Sequence, residues 1–390
     1  MQPTQVQKFT RDEEVLAVAL ELATKKWKVA LDDGKHKAPM EKVVTHAKPA
    51  GRVDEVVTAI AVAKKKWGLA EGVRVVVVCE AGQDGFWIQR ALAARGIEAL
   101  VVDPASIPVA RTKRRAKTDR LDALLLVRAL RGYLRGERDR MKVVRVPPLV
   151  AEGLRHFTRE RGLLQKEVGQ HRDRMRKLLR LEGNWDGVEG DLAGRLERGE
   201  VRCYDGSALS AGQQERLLRE CARLKLVEQQ LAALEKTLPA QLPESEQKRL
   251  LQLMQLKAVG QVGALRLLLE LFWRKFSNRR ELGACVGLVS QPYDSGESRV
   301  DQGISKAGNR RVRALLIEMA WMWLRHQPQS ELAQWFAKRT GGSGANKRSK
   351  RMAIVAVARR LVILLWRYLE QGVLPKDVEL KPVKAKLQAG

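Results

Sequence analysis

Four acidic side chains stand at points where an apolar segment meets a turn or a helix begins. Glu21 lies near the end of the apolar run 15–22, Glu80 follows a valine-rich run, and Asp119 and Asp122 are three residues apart at a helix start. A charge in an apolar strand is costly unless it is paired or bound to metal. Carboxylates suit Mg²⁺ or Mn²⁺, and two such ions about 3.5–4 Å apart clamp both oxygens of a phosphodiester displacement. The acids therefore predict a metal site for phosphoryl transfer.

The hydroxyl of Ser295 is a second candidate group. Ser295 precedes Gly296 in the polar stretch 287–299, which reads as a loop, and a basic helix start follows at 306–313. A serine there presents its hydroxyl freely but needs activation before it can attack. On residue type alone, a turn residue is the more common interpretation of Ser295.

Positive charge dominates the composition. The 390 residues include 73 Lys and Arg against 45 Asp and Glu, which gives a net charge of +28 and predicts a polyanionic partner. The basic residues concentrate beside the candidate chemistry, at 111–120, 306–313 and 347–351. The residues that we predict to bind nucleic acid are Arg111, Lys113, Arg114, Arg115, Lys117, Arg120, Lys306, Asn309, Arg310, Arg311, Arg313, Lys347, Arg348, Lys350 and Arg351.

The elements that must position the four acids alternate along the first third of the chain. Apolar runs predict strands at 15–22, 27–31 and 40–46, then a helix at 52–65 and a strand at 73–79. A helix at 86–95, a strand at 97–102 and a helix at 118–130 complete the series. Three meandering strands followed by alternating helices and strands are similar to the arrangement of ribonuclease H-like α/β domains.

The middle of the chain carries a different pattern. Apolar residues recur at spacings of three and four through 149–181 and again through 217–238, with a glycine-rich stretch, 183–210, between them. This pattern predicts a coiled-coil hairpin or an oligomer contact, and two ordinary bundle helices are the alternative. Beyond Pro239 and Pro243 the periodicity is helical, which predicts an all-α C-terminal domain.

These changes in pattern predict five segments. We expect a tail at 1–12, a metal-binding domain at 13–145, a coiled-coil or oligomerisation segment at 146–245, a C-terminal domain at 246–372 and a tail at 373–390.

Other classes of protein fit the sequence poorly. The most apolar stretch, 352–369, contains three arginines, whereas a membrane-spanning helix needs about 20 mostly apolar residues. The four cysteines have no paired spacing, so neither a Cys-based zinc site nor a disulfide framework is expected. We therefore expect a cytoplasmic protein without a membrane partner.

The order of these features resembles the insertion-sequence transposases of the IS110/IS1111 group across about residues 13–372. The most specific matches are the run from Lys117 to Asp122, the Ser295-Gly296 pair and the run from Ile304 to Arg313. The resemblance implies a RuvC-like domain in which Glu21, Glu80, Asp119 and Asp122 take the positions of four metal-binding acids. It also implies that Ser295 is the nucleophile of a C-terminal transposase domain.

The same resemblance implies recombination of donor and target DNA guided by a non-coding RNA, termed bridge or seek RNA. Base pairing would then read sequence while basic protein surfaces hold the backbones. Ser295 would form a covalent phosphoserine linkage at a composite site with the metal-binding acids. A dimer or tetramer, associated with the prokaryotic nucleoid, is implied as well.

Two positions leave the assignment open. The first acid of the family is usually Asp, and here it is Glu21, whose extra methylene alters the reach of the carboxylate. Ser290 and Ser298 lie near Ser295 and are alternative nucleophiles. The alternative functions are a magnesium-dependent junction-resolving nuclease that uses water, and a nucleic-acid-binding protein without catalysis.

Overall fold

The fold is described from a computed structural model, which covers residues 14–107, 118–185, 187–295, 298–341 and 346–381. The side chains of residues 294–301 also lie outside the description. The chain divides into two compact units, Met1–Pro147 and Pro148–Gly390.

The N-terminal unit is built on a mixed sheet that is six-stranded in the described part of the chain. Its elements are β1 (Val15–Leu22), β2 (Trp27–Asp32), β3 (Met40–Val44), α1 (Pro49–Trp67), β4 (Arg74–Glu80), α2 (Gly85–Ala93), β5 (Glu98–Val102), α3 (Asp119–Leu134) and β6 (Val143–Val144). The strand order is β3-β2-β1-β4-β5-β6, with β1, β4 and β5 parallel and the others antiparallel to their neighbours.

The predicted order of strands and helices is confirmed, with the short strand β6 added. Strands β1 and β4 are near-continuous apolar runs because both faces of the sheet are covered. Helices α1 and α2 pack on one face through residues such as Val56 and Ile88. Helix α3 packs on the other face through Leu126 and Leu130.

The second unit begins with two long helices. Its elements are α4 (Leu149–Leu181), α5 (Leu192–Glu197), α6 (Ala211–Thr237), α7 (Glu244–Met254), α8 (Gln261–Leu267), α9 (Arg279–Val286), β7 (Ser290–Ser295), β8 (Ser298–Ile304), α10 (Arg310–His326), α11 (Glu331–Thr340) and α12 (Lys347–Gln371). A π-helical turn, Leu268–Phe272, continues α8.

Helices α4 and α6 pack against each other through a stripe that includes Leu164, Met175, Leu217 and Leu224. The observed bounds of α4 equal the predicted ones. The glycine-rich stretch between the two helices contains the short helix α5, which the sequence did not predict. The structure shows a packed helix pair, and a coiled coil remains a prediction.

A buried polar cluster interrupts the stripe between α4 and α6. Nδ1 of His171 lies 2.6 Å from Oε2 of Glu220. Arg174 and Arg223 donate to the same carboxylate at 3.1 and 2.8 Å. Burial opposes ionisation of Glu220, but the hydrogen bonds from His171 and Arg174 outweigh it and lower the pKa of the carboxyl.

Helices α7 to α12 surround a separate core that includes Leu271, Leu316, Trp323 and Leu361. Leu154 near the start of α4 belongs to the same core. Helix α4 therefore begins in this core and continues to the packed pair with α6.

The expectation of an all-α C-terminal domain is wrong at one place. Strands β7 and β8 form an antiparallel hairpin where a loop was expected. Tyr293 faces Val300 across the hairpin, and both are residues that favour strands. Pro292 and the surrounding polar residues mask this signal in the sequence, because proline is tolerated only at an edge strand or an irregularity. The register shifts next to Pro292.

Part of the segment expected as a C-terminal tail is held by the second unit. The backbone N–H of Lys381 donates to the backbone carbonyl of Gln255 at 2.8 Å, and the backbone N–H of Lys257 donates to the backbone carbonyl of Glu379 at 3.2 Å. Residues 379–381 therefore lie along the end of α7. Residues 1–13 and 382–390 lie outside the described residues.

Among the helices that the structure describes, none combines the length and apolar character needed to cross a bilayer.

Candidate active site

Two of the predicted acids occupy neighbouring strand ends. The parallel ladder between β1 and β4 pairs Leu20 with Cys79, so Glu21 and Glu80 come next on adjacent strands. Side chains alternate between the faces of a strand, and Ala19 packs on the α3 side. Glu21 and Glu80 therefore share that face, where both are half-buried.

The other two acids lie in the first turn of α3. The hydroxyl of Thr118 caps the helix by accepting the backbone N–H of Leu121 at 3.3 Å. Asp122 is half-buried, and it precedes the buried residues Leu126 and Leu130 by four and eight positions. Asp122 thus continues the stripe of α3 that faces the sheet, while Asp119 is exposed.

The direction of α3 brings its first turn towards the two strand ends. Near the other end of α3, Arg131 donates to the backbone carbonyl of Asp32 at 2.6 Å. Asp32 pairs with Ala17, close to the start of β1. The N-terminus of α3 therefore points to the end of the sheet that carries Glu21 and Glu80.

The donor chemistry of these acids fits a hard divalent cation, because all four groups are carboxylates. Within the described ranges, no three acidic, histidine or cysteine side chains come close enough to share a metal ion. Glu21 and Glu80 are both engaged in other contacts. The backbone places the strand ends with Glu21 and Glu80 and the first turn of α3 at the same end of the sheet, but in the described residues these side chains do not form a metal-binding cluster.

Cys79 does not extend this donor set. Its side chain belongs to the opposite face of the sheet, against α1 and α2. Burial, and then the charge of Glu80, raise the pKa of the Cys79 thiol to about 12. A protonated, buried thiol is a poor metal ligand.

The predicted basic segment 111–120 is described only from Thr118 onwards. Arg111, Lys113, Arg114, Arg115 and Lys117 lie outside the described residues. Arg120 is described, and its guanidinium donates to both carboxylate oxygens of Glu41 at 2.6 and 2.7 Å. In this conformation Arg120 neutralises an acid of β3.

Ser295 ends strand β7 and pairs with Ser298 across the tip of the hairpin. Ser290 lies at the other end of β7, paired with Ile304. The side chains of Ser295 and Ser298, and the residues 296–297 between them, lie outside the description. The hairpin therefore sets two of the candidate serines at its tip and the third at its base.

The loop from the hairpin to α10 is tightly held. Gly308 has φ +84°, and a Cβ there would lie 2.0 Å from the carbonyl oxygen of Cys285. The amide oxygen of Asn309 caps α10 by accepting the backbone N–H groups of Arg311 and Val312. Arg313 donates to the backbone carbonyls of Val286 and Ala307.

The other predicted basic residues lie close to helix starts. Lys306 and Arg310 are exposed. Lys347, Arg348, Lys350 and Arg351 belong to the first turns of α12, which Asn346 caps.

Glu270 is a buried acid that none of the sequence patterns singled out. Its side chain is only 4% exposed and lies in the π-helical turn. The Thr158 hydroxyl donates to it at 3.2 Å, and the Asn309 amide donates at 3.3 Å. Arg159 donates at 3.4 Å, and Arg155 lies 3.7 Å away. The signal was a lone acid in the apolar run 267–272, the same argument that singled out Glu21.

Comparison with known families accounts for both parts of the chain. A family profile described as "Transposase", of the DEDD type, matches residues 16–182. A second profile, described as "Transposase IS116/IS110/IS902 family", matches residues 251–334. The first match spans the ribonuclease H-like sheet with its four acids, and the second spans the hairpin with Ser295.

Individual proteins that are similar to this chain are also named as transposases. A Sinorhizobium fredii protein named transposase y4rJ is 39% identical over 379 residues, which cover 93% of this chain and 94% of the relative. A second S. fredii protein, named transposase y4qE, is 29% identical over 64% of this chain and 58% of its own length. The Coxiella burnetii transposase for insertion sequence element IS1111A is 34% identical over 24% of this chain and 25% of its own.

Proposed function

Because this chain belongs to the IS110 family of transposases, enzymes that cleave and transfer DNA strands, we propose that it acts through a covalent phosphoserine intermediate. In this proposal Glu21, Glu80, Asp119 and Asp122 hold Mg²⁺ or Mn²⁺, and Ser295 is the nucleophile. The observation that supports it is the position of Glu21 and Glu80 at adjacent strand ends, with the first turn of α3, which carries Asp119 and Asp122, directed to the same end of the sheet.

The proposed step exchanges one ester bond for another. Oγ of Ser295 loses its proton and forms a bond to the phosphorus, while the bond from phosphorus to the departing deoxyribose oxygen breaks. That oxygen takes up a proton and becomes a hydroxyl end. Attack by a hydroxyl end on the phosphoserine then rejoins DNA and restores the serine. A bound divalent cation would supply positive charge to the phosphate under attack.

The finer features also belong to this proposal. A non-coding bridge or seek RNA selects donor and target DNA by pairing, and the basic residues named above hold the backbones. The functional domains are 13–145, 146–245 and 246–372, and the middle segment joins copies into a dimer or tetramer in the nucleoid. The support is the net charge of +28 and the two long helices α4 and α6.

Trapping of the intermediate tests the nucleophile. The full-length protein is incubated with labelled DNA, its RNA and Mg²⁺, denatured, and examined for label attached to protein. We expect an adduct with the wild type and the Ser290→Ala and Ser298→Ala variants, and none with Ser295→Ala. An adduct that survives Ser295→Ala moves the nucleophile elsewhere. Cleavage without any adduct indicates water as the nucleophile, as in a junction nuclease.

Matched acid variants test the metal site. Asp119→Asn and Asp122→Asn should each reduce cleavage by at least a hundredfold. Asp54→Asn makes the same chemical change on α1, which covers the opposite face, and should leave cleavage within twofold. Full activity of Asp119→Asn would show that the metal site is misassigned. Removal of RNA by ribonuclease should abolish site-specific cleavage, and unchanged cleavage excludes guidance.

A further inference from the structure

A basic cleft of about 360 Å³ opens within the second unit, between α4, α8 and α10. Arg159, Gly162 and Lys166 line it from α4, Arg266 from α8 and Arg311 from α10. Glu270 lies on its buried side. Four cations therefore surround the cleft against one carboxylate.

Most of the positive charge in the cleft is not neutralised. Glu270 accepts hydrogen bonds from Arg159, Thr158 and Asn309, which fixes Arg159 at the wall. In the part of the chain that the structure describes, Lys166, Arg266 and Arg311 form no ion pair or side-chain hydrogen bond. Like charges held around a concave surface repel each other and concentrate a positive potential there. An anion relieves this repulsion.

The side chains, and not a helix terminus, create this site. Asn309 already caps the backbone N–H groups of Arg311 and Val312 at the start of α10. Arg guanidinium groups contributed by separate helices are suited to contact the oxygens of a phosphate from different directions. A volume of this size admits a nucleotide unit and excludes a duplex.

We propose that this cleft binds one or two consecutive phosphates of a DNA strand and so anchors the strand beside the hairpin. DNA is the occupant because the family acts on DNA and because α10 follows strand β8 after only residues 305–309. The inference depends neither on Ser295 nor on the four metal-binding acids. It adds Arg159, Lys166 and Arg266, which none of the sequence patterns singled out.

Gly162 provides a test that leaves the charges unchanged. Gly162 lines the cleft, and a Cβ there would meet no heavy atom within 4 Å, so the backbone leaves room for a larger side chain at this wall. Gly169 is the matched control, because it lies two turns along α4, also has nothing within 4 Å and does not line the cleft. Both Gly162→Leu and Gly169→Leu improve helix propensity, so neither should lower the melting temperature.

Binding is measured by fluorescence anisotropy with labelled single-stranded DNA in EDTA, which prevents cleavage. We expect Gly162→Leu to weaken binding at least tenfold and Gly169→Leu to change it less than twofold. Arg266→Gln should reduce the slope of log K against log salt by about 0.7, the value expected when one phosphate of a single strand is no longer neutralised. Unchanged affinity of Gly162→Leu, or an unchanged slope of Arg266→Gln, overturns the proposal.

A parallel titration with single-stranded RNA of the same sequence separates the two nucleic acids. Weaker RNA binding by Gly162→Leu with unchanged DNA binding assigns the cleft to RNA and overturns the proposal as stated. Absence of the covalent adduct in Ser295→Ala, with normal DNA binding by that variant, shows that the two sites are tested independently.

Discussion

Replacement of Glu220 by Gln should loosen the pair of helices α4 and α6. The carboxylate is 8% exposed and lies within 3.1 Å of donors on His171, Arg174 and Arg223. Glutamine keeps the shape of the side chain but leaves those groups facing a neutral amide.

The magnitude follows from burial. Breaking a buried ion pair by removing one partner costs about 3–5 kcal/mol. Arg174 and Arg223 are about half exposed and can turn towards water, so we expect about 2–3 kcal/mol. Because about 1.4 kcal/mol corresponds to a tenfold change in an equilibrium constant, the equilibrium constant for local opening of α6 should increase about 30- to 150-fold.

Hydrogen exchange of the intact protein, followed on peptides of α6 by mass spectrometry, measures this opening. Glu228→Gln is the matched control, since Glu228 also pairs with an arginine of α4, Arg172, at 2.8 Å but is 43% exposed. A pair at such exposure contributes about 0–1 kcal/mol. Equal increases in exchange for the two variants would refute the argument from burial.

Three further predictions concern other parts of the molecule. The pKa of Glu220 is lower in the folded protein than in the unfolded chain, so its charge contributes stability above the unfolded pKa, and this stability is lost as the pH falls through the folded pKa. Hydrogen exchange of α6 should therefore rise below about pH 4.5. The Glu220→Gln variant should show a flatter pH dependence. Gly303 has φ +84° and open space around it, so Gly303→Ala should cost about 1 kcal/mol through the backbone conformation alone. Gly308 has the same φ, and a Cβ there would also clash with the carbonyl oxygen of Cys285, so Gly308→Ala should lower the melting temperature of the second unit more. Thr118→Ala removes the cap of α3 at a cost of about 1 kcal/mol and should slow DNA cleavage by loosening the turn with the two acids, whereas Thr118→Ser should keep the rate near wild type.

Local patterns made much of this fold predictable. Strands β1 and β4 are buried on both faces, and such strands are recognisable in the sequence as near-continuous runs of apolar residues. The three-four spacing of α4 was sufficient to predict both of its ends.

Contacts between distant segments were beyond the sequence. Glu220 is 49 residues from His171, and Glu270 is 112 residues from Thr158. No periodicity specifies such partners, because they depend on which elements pack together and in which register. The sequence predicted that the four acids form one metal site, whereas the placement of their backbones at one end of the sheet depends on the parallel pairing of β1 with β4 and on the direction of α3.

Helix α4 is a continuous rod of 33 residues, about 50 Å long. Leu154 anchors one end in the core of α7 to α12, and Leu179 packs near the other end with α6. The same uninterrupted helix therefore carries, near one end, the turn whose Arg155, Thr158 and Arg159 surround Glu270 and, farther along, the stripe that packs against α6. One helix thus supplies side chains to both cores of the second unit and to one wall of the basic cleft.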